Sequence, residues 1–155
     1  MYLIFLTVLL SSSDWIHRIQ QNDNTYLIWR YAELYDQSPH ELIAIAYTES
    51  RLDHRAVSST KDIGLFQINC NAWKKEFDNS YDKCKEMMLD PHLNTITAIN
   101  IVRHYRKQYN NCKKDKVFYC YNGGPGWKNS NNIKNIIKYG SIVKKRRQHL
   151  VRELQ

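Results

Sequence analysis

The most chemically suggestive residue of this chain is Glu49, a carboxylate on the apolar face of a helix. Residues 42–49 read LIAIAYTE, and at helical spacing one face carries Leu42, Ile45, Ala46 and Glu49. A carboxyl group that leaves water for an apolar wall is disfavoured in its charged form, so its pKa rises. Such a group can stay protonated near neutral pH and donate a proton to a leaving oxygen. The pattern therefore makes Glu49 a candidate general acid.

A purely structural interpretation of Glu49 is also open. Charged residues are common at helix ends, and Glu49 stands at the end of the apolar stripe. Its carboxylate could reach solvent there, or pair with Arg51 or Arg55. Periodicity alone favours neither interpretation decisively, so the rest of the chain has to be considered.

Four short motifs follow one another along the chain. Glu49-Ser50 ends the helix, and the next motifs are GLFQIN at 64–69, DPHLN at 90–94 and YNGGPG at 121–126. Their order resembles the soluble lytic transglycosylase family of the lysozyme superfamily, which cuts the glycan strands of peptidoglycan. The resemblance covers roughly residues 26–143. It implies a lysozyme-like fold and cleavage of the β-1,4 bond between MurNAc and GlcNAc.

The resemblance also assigns roles to five residues. Glu49 corresponds to the single catalytic acid, which protonates the glycosidic oxygen and then takes back a proton as base. Ser50 is implied to orient Glu49 or the substrate, and Gln67 to hydrogen-bond the sugar near the cut. Tyr121 is implied to approach the carboxylate, and Asn122 to hold substrate from the turn.

The chain departs from the family pattern at two positions. Phe66 stands where the family often has Met, and we expect it to line the groove. Gly123 stands where the family usually has Ala. We expect Gly64 and Gly123 to be positions where a side chain would block the groove.

The family reaction needs only one carboxylate, because the muramic acid's own hydroxyl attacks the anomeric carbon and gives a 1,6-anhydro sugar. A goose-type lysozyme on the same fold would hydrolyse the bond instead. Glycoside hydrolysis ordinarily requires a second carboxylate. The candidates for it are Asp53 and Asp62. The alternative for both is a solvated loop aspartate.

Charge suggests a rival from another class, a non-catalytic basic module that binds wall polymer or nucleic acid. The formal net charge is +8, from 23 Lys and Arg against 15 Asp and Glu. Such a balance favours an anionic partner without identifying it. The run KKRR at 144–147 could grip one, or could be a solvated basic helix end. We expect no specific nucleic-acid partner.

No motif indicates a metal or a cofactor. The six histidines show neither HExxH nor another paired spacing, and no GxSxG, phosphate-binding or dinucleotide motif fits. We therefore expect no metal site and no cofactor. Trp73 and Trp127 are candidates either for stacking on sugar rings or for core packing.

Helix patterns supply the elements that must position these residues. Ser38-Pro39 with Glu41 predicts a capping box that opens a helix to about Arg51. Asp90-Pro91 predicts a second start, with a helix to about Tyr109. Further predictions are a helix over residues 24–35, a loop over 52–71, a turn over 117–127, and a helix over 133–151 that buries Ile133, Ile136, Ile137 and Val143. The pattern predicts one mainly α domain, lysozyme-like, with little or no sheet.

The N-terminus and the cysteines both favour export. Residues 1–13 are apolar without an ionisable side chain, which predicts a signal peptide cut near Ser13 and a catalytic domain over 14–155. No Lys or Arg precedes the apolar run, so a misassigned start or an uncleaved first helix stays open. The run is too short to span a bilayer. We expect a periplasmic or secreted monomer.

Four cysteines behind a signal peptide predict two disulfides. Pairing Cys70 with Cys84 and Cys112 with Cys120 closes the shortest loops, although spacing cannot decide connectivity. Free buried thiols are the alternative. A small catalytic domain without a wall-anchoring module is typical of local wall remodelling. The partners we expect are peptidoglycan strands and, by analogy, a secretion or conjugation apparatus.

Overall fold

The computed structural model describes residues 14–154, so the signal peptide expected over residues 1–13 lies outside the described residues. Helix α1 covers residues 14–20. The remaining helices are α2 Asp23–Leu34, α3 Pro39–Ser50, α4 Tyr81–Leu89, α5 Pro91–Gln108, α6 Val117–Gly123 and α7 Ile133–Glu153. A two-stranded antiparallel hairpin, β1 Asp62–Ile63 and β2 Ile68–Asn69, interrupts the helices. The predicted mainly α fold with little sheet is confirmed.

Helix α3 forms the centre of the core. Residues 41–47 are all buried, and the helix packs between α2 and α7. A helix that is apolar on every side is stable only when it is covered by other elements. The last turn of α3 emerges from this packing with Glu49 on it.

The predicted start of α3 is confirmed, but its capping box is only half formed. Ser38 Oγ accepts a hydrogen bond from the Glu41 backbone N–H, and Pro39 occupies the first turn. The Glu41 carboxylate does not reach back to the cap. It accepts a hydrogen bond of 2.7 Å from Arg106 of α5, because a carboxylate that is only 4% exposed requires a charged partner.

The start of α5 follows the prediction closely. Asp90 Oδ1 accepts hydrogen bonds from the backbone N–H groups of His92 and Leu93, at 2.8 and 2.9 Å. Pro91 is the first residue of the helix, where the missing N–H costs nothing. The helix ends at Gln108, one residue before the expected end.

Helix α4 has no counterpart among the sequence-based predictions. Ser80 caps it through a hydrogen bond from the Lys83 backbone N–H, and only Cys84 and Met88 of its nine residues are buried. A short helix with two buried side chains gives little periodicity to detect.

Two predictions about the C-terminal third are wrong. Residues 117–123 form helix α6 instead of a turn, because burial of Val117, Phe118 and Cys120 stabilises it and only Gly124, at φ 69°, ends it. Helix α7 buries Ile136 and Val143 as expected, but Ile137 is 44% exposed. Its apolar face continues instead through Gly140 and Leu150.

Both disulfides join sequence neighbours, which confirms the favoured pairing. Cys70–Cys84 ties the residue after β2 to α4, and Cys112–Cys120 ties α6 to the turn before it. Among the helices of residues 14–154, none has the length and hydropathy needed to cross a bilayer.

Candidate active site

Glu49 lies in a cleft of about 670 Å³ that is built from five parts of the chain. The end of α3 meets the β-hairpin on one side and α5, α6 and α7 on the other. The side chains that line the cleft include Glu49, Asp62, Gln67, Trp73, Tyr121 and Asn122. Four of the five residues that the sequence singled out therefore line one cleft, and Ser50 does not.

The chain turns sharply just after Glu49. Arg51 and Leu52 adopt left-handed conformations, with φ of 57° and 66°, and they end α3. Neither Arg51 nor Arg55 pairs with Glu49, and the carboxylate forms no ion pair within the described residues. The end of α3 thus leaves the Glu49 carboxylate facing the cleft without a cationic partner.

Burial raises the pKa of Glu49 to about 7, and two neighbours modify that effect. A hydrogen bond from Tyr139 lowers it, and the charge of Asp62 raises it. Tyr139 Oη donates to Glu49 Oε1 at 2.5 Å. An acid with a pKa near neutrality can both give and accept a proton under ordinary conditions.

Tyr139 is the residue of the site that sequence reasoning missed. Burial raises its own pKa well above the usual value, so it stays protonated and donates. The available signal was its position three residues after Ile136 and four before Val143, on the face that α7 buries. A hydroxyl on an apolar helix face is the same kind of anomaly as the carboxylate of Glu49.

Tyr121 shares the cleft with Glu49 but does not hydrogen-bond to it. Its hydroxyl donates to the backbone oxygen of Phe66 at 2.8 Å. Through this contact α6 is tied to the segment that carries Gln67. Asn122, the next residue, is exposed along the cleft.

Ser50 and Gln67 hold the backbone around the site. Ser50 Oγ donates to the backbone oxygen of Leu65 at 2.8 Å, which joins the end of α3 to the GLFQIN segment. Gln67 Nε2 donates to the backbone oxygens of Gly64 and Ala56, at 3.0 and 3.2 Å. These bonds use the amide nitrogen and orient the Gln67 side chain along the cleft wall.

Asn94 of the DPHLN motif positions the GLFQIN segment from α5. It is fully buried, accepts from Phe66 N–H at 2.9 Å, and donates to the backbone oxygens of Ile63 and Met88, at 2.8 and 2.9 Å. A Cβ on Gly64 would come within 2.4 Å of Asn94 Nδ2. Gly64 is therefore needed for this packing and not, as expected, to keep the groove open.

The expectation for Phe66 is wrong. Phe66 is fully buried in the core and does not line the groove. A Cβ on Gly123 would lie 2.5 Å from Ile136 Cδ1, so the glycine makes room for α7. The side chain of Ile136 fills the space that an alanine would use, which explains the departure from the family pattern.

Of the two candidate second carboxylates, only Asp62 lines the cleft. Its Oδ2 accepts hydrogen bonds from Ser58 and Thr60, and its Oδ1 accepts one of 2.6 Å from Asn69. Asp53 is exposed outside the cleft and accepts from the Arg55 backbone N–H. Asp62 is therefore an ordered strand residue and not a solvated loop aspartate.

The two tryptophans separate clearly. Trp73 lines the cleft and lies beside Tyr105, with ring centroids 6.4 Å apart. Trp127 is only 8% exposed and packs on Tyr119. Of these two tryptophans, Trp73 is the one whose ring borders the cleft.

Within residues 14–154, no group of three or more His, Cys, Asp or Glu side chains is arranged to hold a metal ion. The family model described as transglycosylase SLT domain matches residues 27–139. The match covers most of the chain and runs from α2 to Tyr139. Comparisons with curated proteins and with solved structures gave no match.

Proposed function

Because the chain belongs to the transglycosylase SLT domain family, whose members are lytic transglycosylases acting on peptidoglycan, we propose that Glu49 is its catalytic acid. The observation that carries the proposal is the carboxyl group in the cleft, with a pKa of about 7 and a hydrogen bond from Tyr139. A single group of this kind can serve as acid and then as base.

The reaction is a proton transfer in two stages. The protonated Glu49 gives its proton to the glycosidic oxygen as the bond to the muramic acid C1 breaks. The Glu49 carboxylate then takes the proton of the C6 hydroxyl, whose oxygen attacks C1 and closes the 1,6-anhydro ring. Because Tyr139 engages Oε1, the other carboxyl oxygen carries the proton that is transferred.

The neighbouring residues have supporting roles in this proposal. Asn122 offers its amide group to the sugar and Gln67 its amide oxygen, since both line the cleft and the Gln67 nitrogen is already bonded to the backbone. Trp73 offers a ring face, which suits the apolar face of a sugar. Ser50 acts as a positioning residue through its bond to the Leu65 backbone.

The test is mass spectrometry of the fragments that the protein releases from purified peptidoglycan sacculi. We expect fragments one water lighter than hydrolysis products, and none from the Glu49→Gln variant. Full activity of that variant would overturn the assignment of Glu49. Absence of fragments from both proteins would favour instead the rival of a non-catalytic binding module.

A hydrolase of the goose type is the second candidate, and the position of Asp62 favours it. This carboxylate shares the cleft and its charge raises the pKa of Glu49. A hydrolase could use it to orient the attacking water. Reducing-end fragments that disappear in Asp62→Asn would establish hydrolysis, whereas anhydro fragments from that variant would exclude it.

We further propose that the protein is exported to the periplasm or beyond and opens the wall locally for a secretion or conjugation apparatus. Two disulfides support an oxidising compartment. Cell fractionation with N-terminal sequencing tests export and cleavage near Ser13. Deletion of the gene should abolish secretion or transfer, and unchanged transport would contradict this role.

A further inference from the structure

The basic run at 144–147 is divided among different partners in the folded protein. Lys144 and Arg147 both pair with Asp115, at 3.2 and 2.6 Å. Arg146 donates to Thr48 Oγ1 at 2.8 Å and lies over a tyrosine ring of α3. Only Lys145 points away from these contacts. The run therefore links α7 to neighbouring elements and does not form a continuous cationic surface.

A different set of cations forms a row along α7, which we call the α7 basic stripe. Its members are Lys134, Lys138, Lys145 and Arg152, all exposed. Successive members are four, seven and seven residues apart, and with 3.6 residues per turn these spacings keep them on one face. At 1.5 Å per residue the row is about 27 Å long.

No carboxylate neutralises this stripe within the described residues. None of its four cations forms an ion pair there, and Arg152 meets only the ring of His149, at 3.5 Å. Glu153 is the only acidic residue of α7. The four positive charges of the stripe thus equal half of the formal net charge of +8.

The stripe faces away from the cleft. Ile136 and Tyr139 of the same helix line or contact the site, and Val143 is buried beside them. These residues lie away from the stripe, because Ile136 and Val143 are about 170° and Tyr139 about 125° around the helix from the mean direction of its four cations. A ligand on the stripe would leave the glycan cleft open.

We propose that the α7 basic stripe binds a linear phosphate polymer by contacting the phosphate charges along the polymer. Lysine acts as a point charge toward phosphate, and a row of cations gains affinity by releasing the counterions of a polyanion. Polar Ser141 and Gln148 lie between the charges on this face, and the ring beside it, that of His149, is already in contact with Arg152 and Trp15.

A lipid surface fits the stripe less well. Helices that lie on membranes insert an apolar face, and the apolar face of α7 is packed on the core. The exposed apolar residues beside the stripe, Ile137 and Val151, are fourteen positions apart and form no continuous patch. The stripe would hold the enzyme on a polymer of the envelope while the cleft engages the glycan.

The experiment measures binding of the full chain to inorganic polyphosphate over a range of salt concentrations. For four phosphate contacts, affinity should fall on the order of a hundredfold between about 50 and about 200 mM salt. The variant Lys134→Gln, Lys138→Gln, Lys145→Gln, Arg152→Gln should lose most of the binding and most of the salt dependence. Its cleavage of soluble glycan fragments should stay unchanged.

A control variant removes the same charge elsewhere, with Arg30→Gln, Lys75→Gln, Arg103→Gln and Lys107→Gln at exposed positions. It should keep most of the polyphosphate binding. Equal loss in both variants would overturn the proposal, because net charge alone would then explain binding. Absence of binding, or binding only to vesicles of anionic phospholipid, would also overturn it.

Discussion

Two opposing effects act on the carboxyl group of Glu49. Burial of Glu49 raises its pKa, and the hydroxyl of Tyr139 lowers it by stabilising the carboxylate. The balance leaves a pKa of about 7. A still higher pKa would make Glu49 a weaker acid and slow the donation of its proton to the glycosidic oxygen, so the tyrosine favours the acid stage.

The activity should depend on pH through Glu49. The first stage needs the protonated acid, so kcat/KM should fall about tenfold per pH unit once the pH exceeds about 7. The measurement is a pH–rate profile on soluble glycan fragments. A profile that is flat from pH 6 to well above 8 would contradict Glu49 as the acid.

Replacing Tyr139 with Phe should move this alkaline limb to higher pH. Without the donated hydrogen bond the carboxylate is less stable, so its pKa rises. The variant should slow the acid stage, because a higher pKa makes the Glu49 proton harder to donate, and this lowers kcat. Tyr121→Phe is the matched control, because the Tyr121 hydroxyl bonds to the Phe66 backbone and not to Glu49. An identical shift in both variants would contradict a specific role for Tyr139.

At the scale of elements, the cleft depends on how the GLFQIN segment is held. Three attachments converge on it: Ser50 from α3, Asn94 from α5 and Tyr121 from α6. All three use backbone groups of the segment as partners. Gln67 of this segment is therefore placed by bonds from three helices that themselves line the cleft.

Asn94 is the most costly of these attachments to remove. Asn94→Ala leaves one buried N–H and two buried carbonyl oxygens without their partner. At about 1–3 kcal/mol for each unsatisfied group, the free energy of unfolding should drop by roughly 3 kcal/mol or more. Asn100→Ala, on an exposed position of the same helix, is the control for chemical denaturation. A loss of under about 1 kcal/mol in Asn94→Ala would contradict its structural role.

At the scale of the whole molecule, the burial of Glu49 lowers the stability of the folded chain at high pH. The folded chain keeps the Glu49 proton up to about pH 7, while the unfolded chain releases it near the ordinary value of 4.5. The folded state therefore binds more protons between these values. Its free energy of unfolding falls as the pH rises through this window, and the full destabilisation is present above it.

Glu49→Gln should remove that pH dependence. Above pH 7 the variant should be more stable than the wild type by about 2 kcal/mol, after discounting the shift because the side chain keeps some access to solvent. Below pH 4.5 the two proteins should be nearly equal. Denaturant titrations at both pH values measure the difference. A variant that is less stable at high pH would contradict the burial argument.

Both disulfides should stabilise the fold, but they should differ in their effect on activity. Their separations of 14 and 8 residues correspond to about 3 kcal/mol each in the chain-entropy account. Cys70→Ser with Cys84→Ser should also reduce activity, because the bridge encloses the segment that carries Trp73. Cys112→Ser with Cys120→Ser should lower stability while retaining more activity. The reverse order of activities would show that the first bridge does not support the cleft.

The sequence by itself determined the features that depend on neighbours within a helical turn. Ser38 and Asp90 start their helices through bonds to the next three residues, so their motifs predicted α3 and α5 correctly. The anomaly of Glu49 was also visible, because it needs only the period of one helix. The order of the motifs identified the family, which the match over residues 27–139 confirms.

The tertiary structure decided which distant groups meet. Tyr139 reaches Glu49 across 90 positions of the chain, and Arg106 reaches Glu41 across 65. Local pattern cannot give such pairs, because a polar side chain takes its partner from whichever helix the core packs against it. For the same reason the residues of the basic run at 144–147 have different partners, whereas the α7 basic stripe stays exposed. Burial of Gly140 and Leu150 fixes the rotation of α7 about its own axis, and this rotation determines which charged side chains face water.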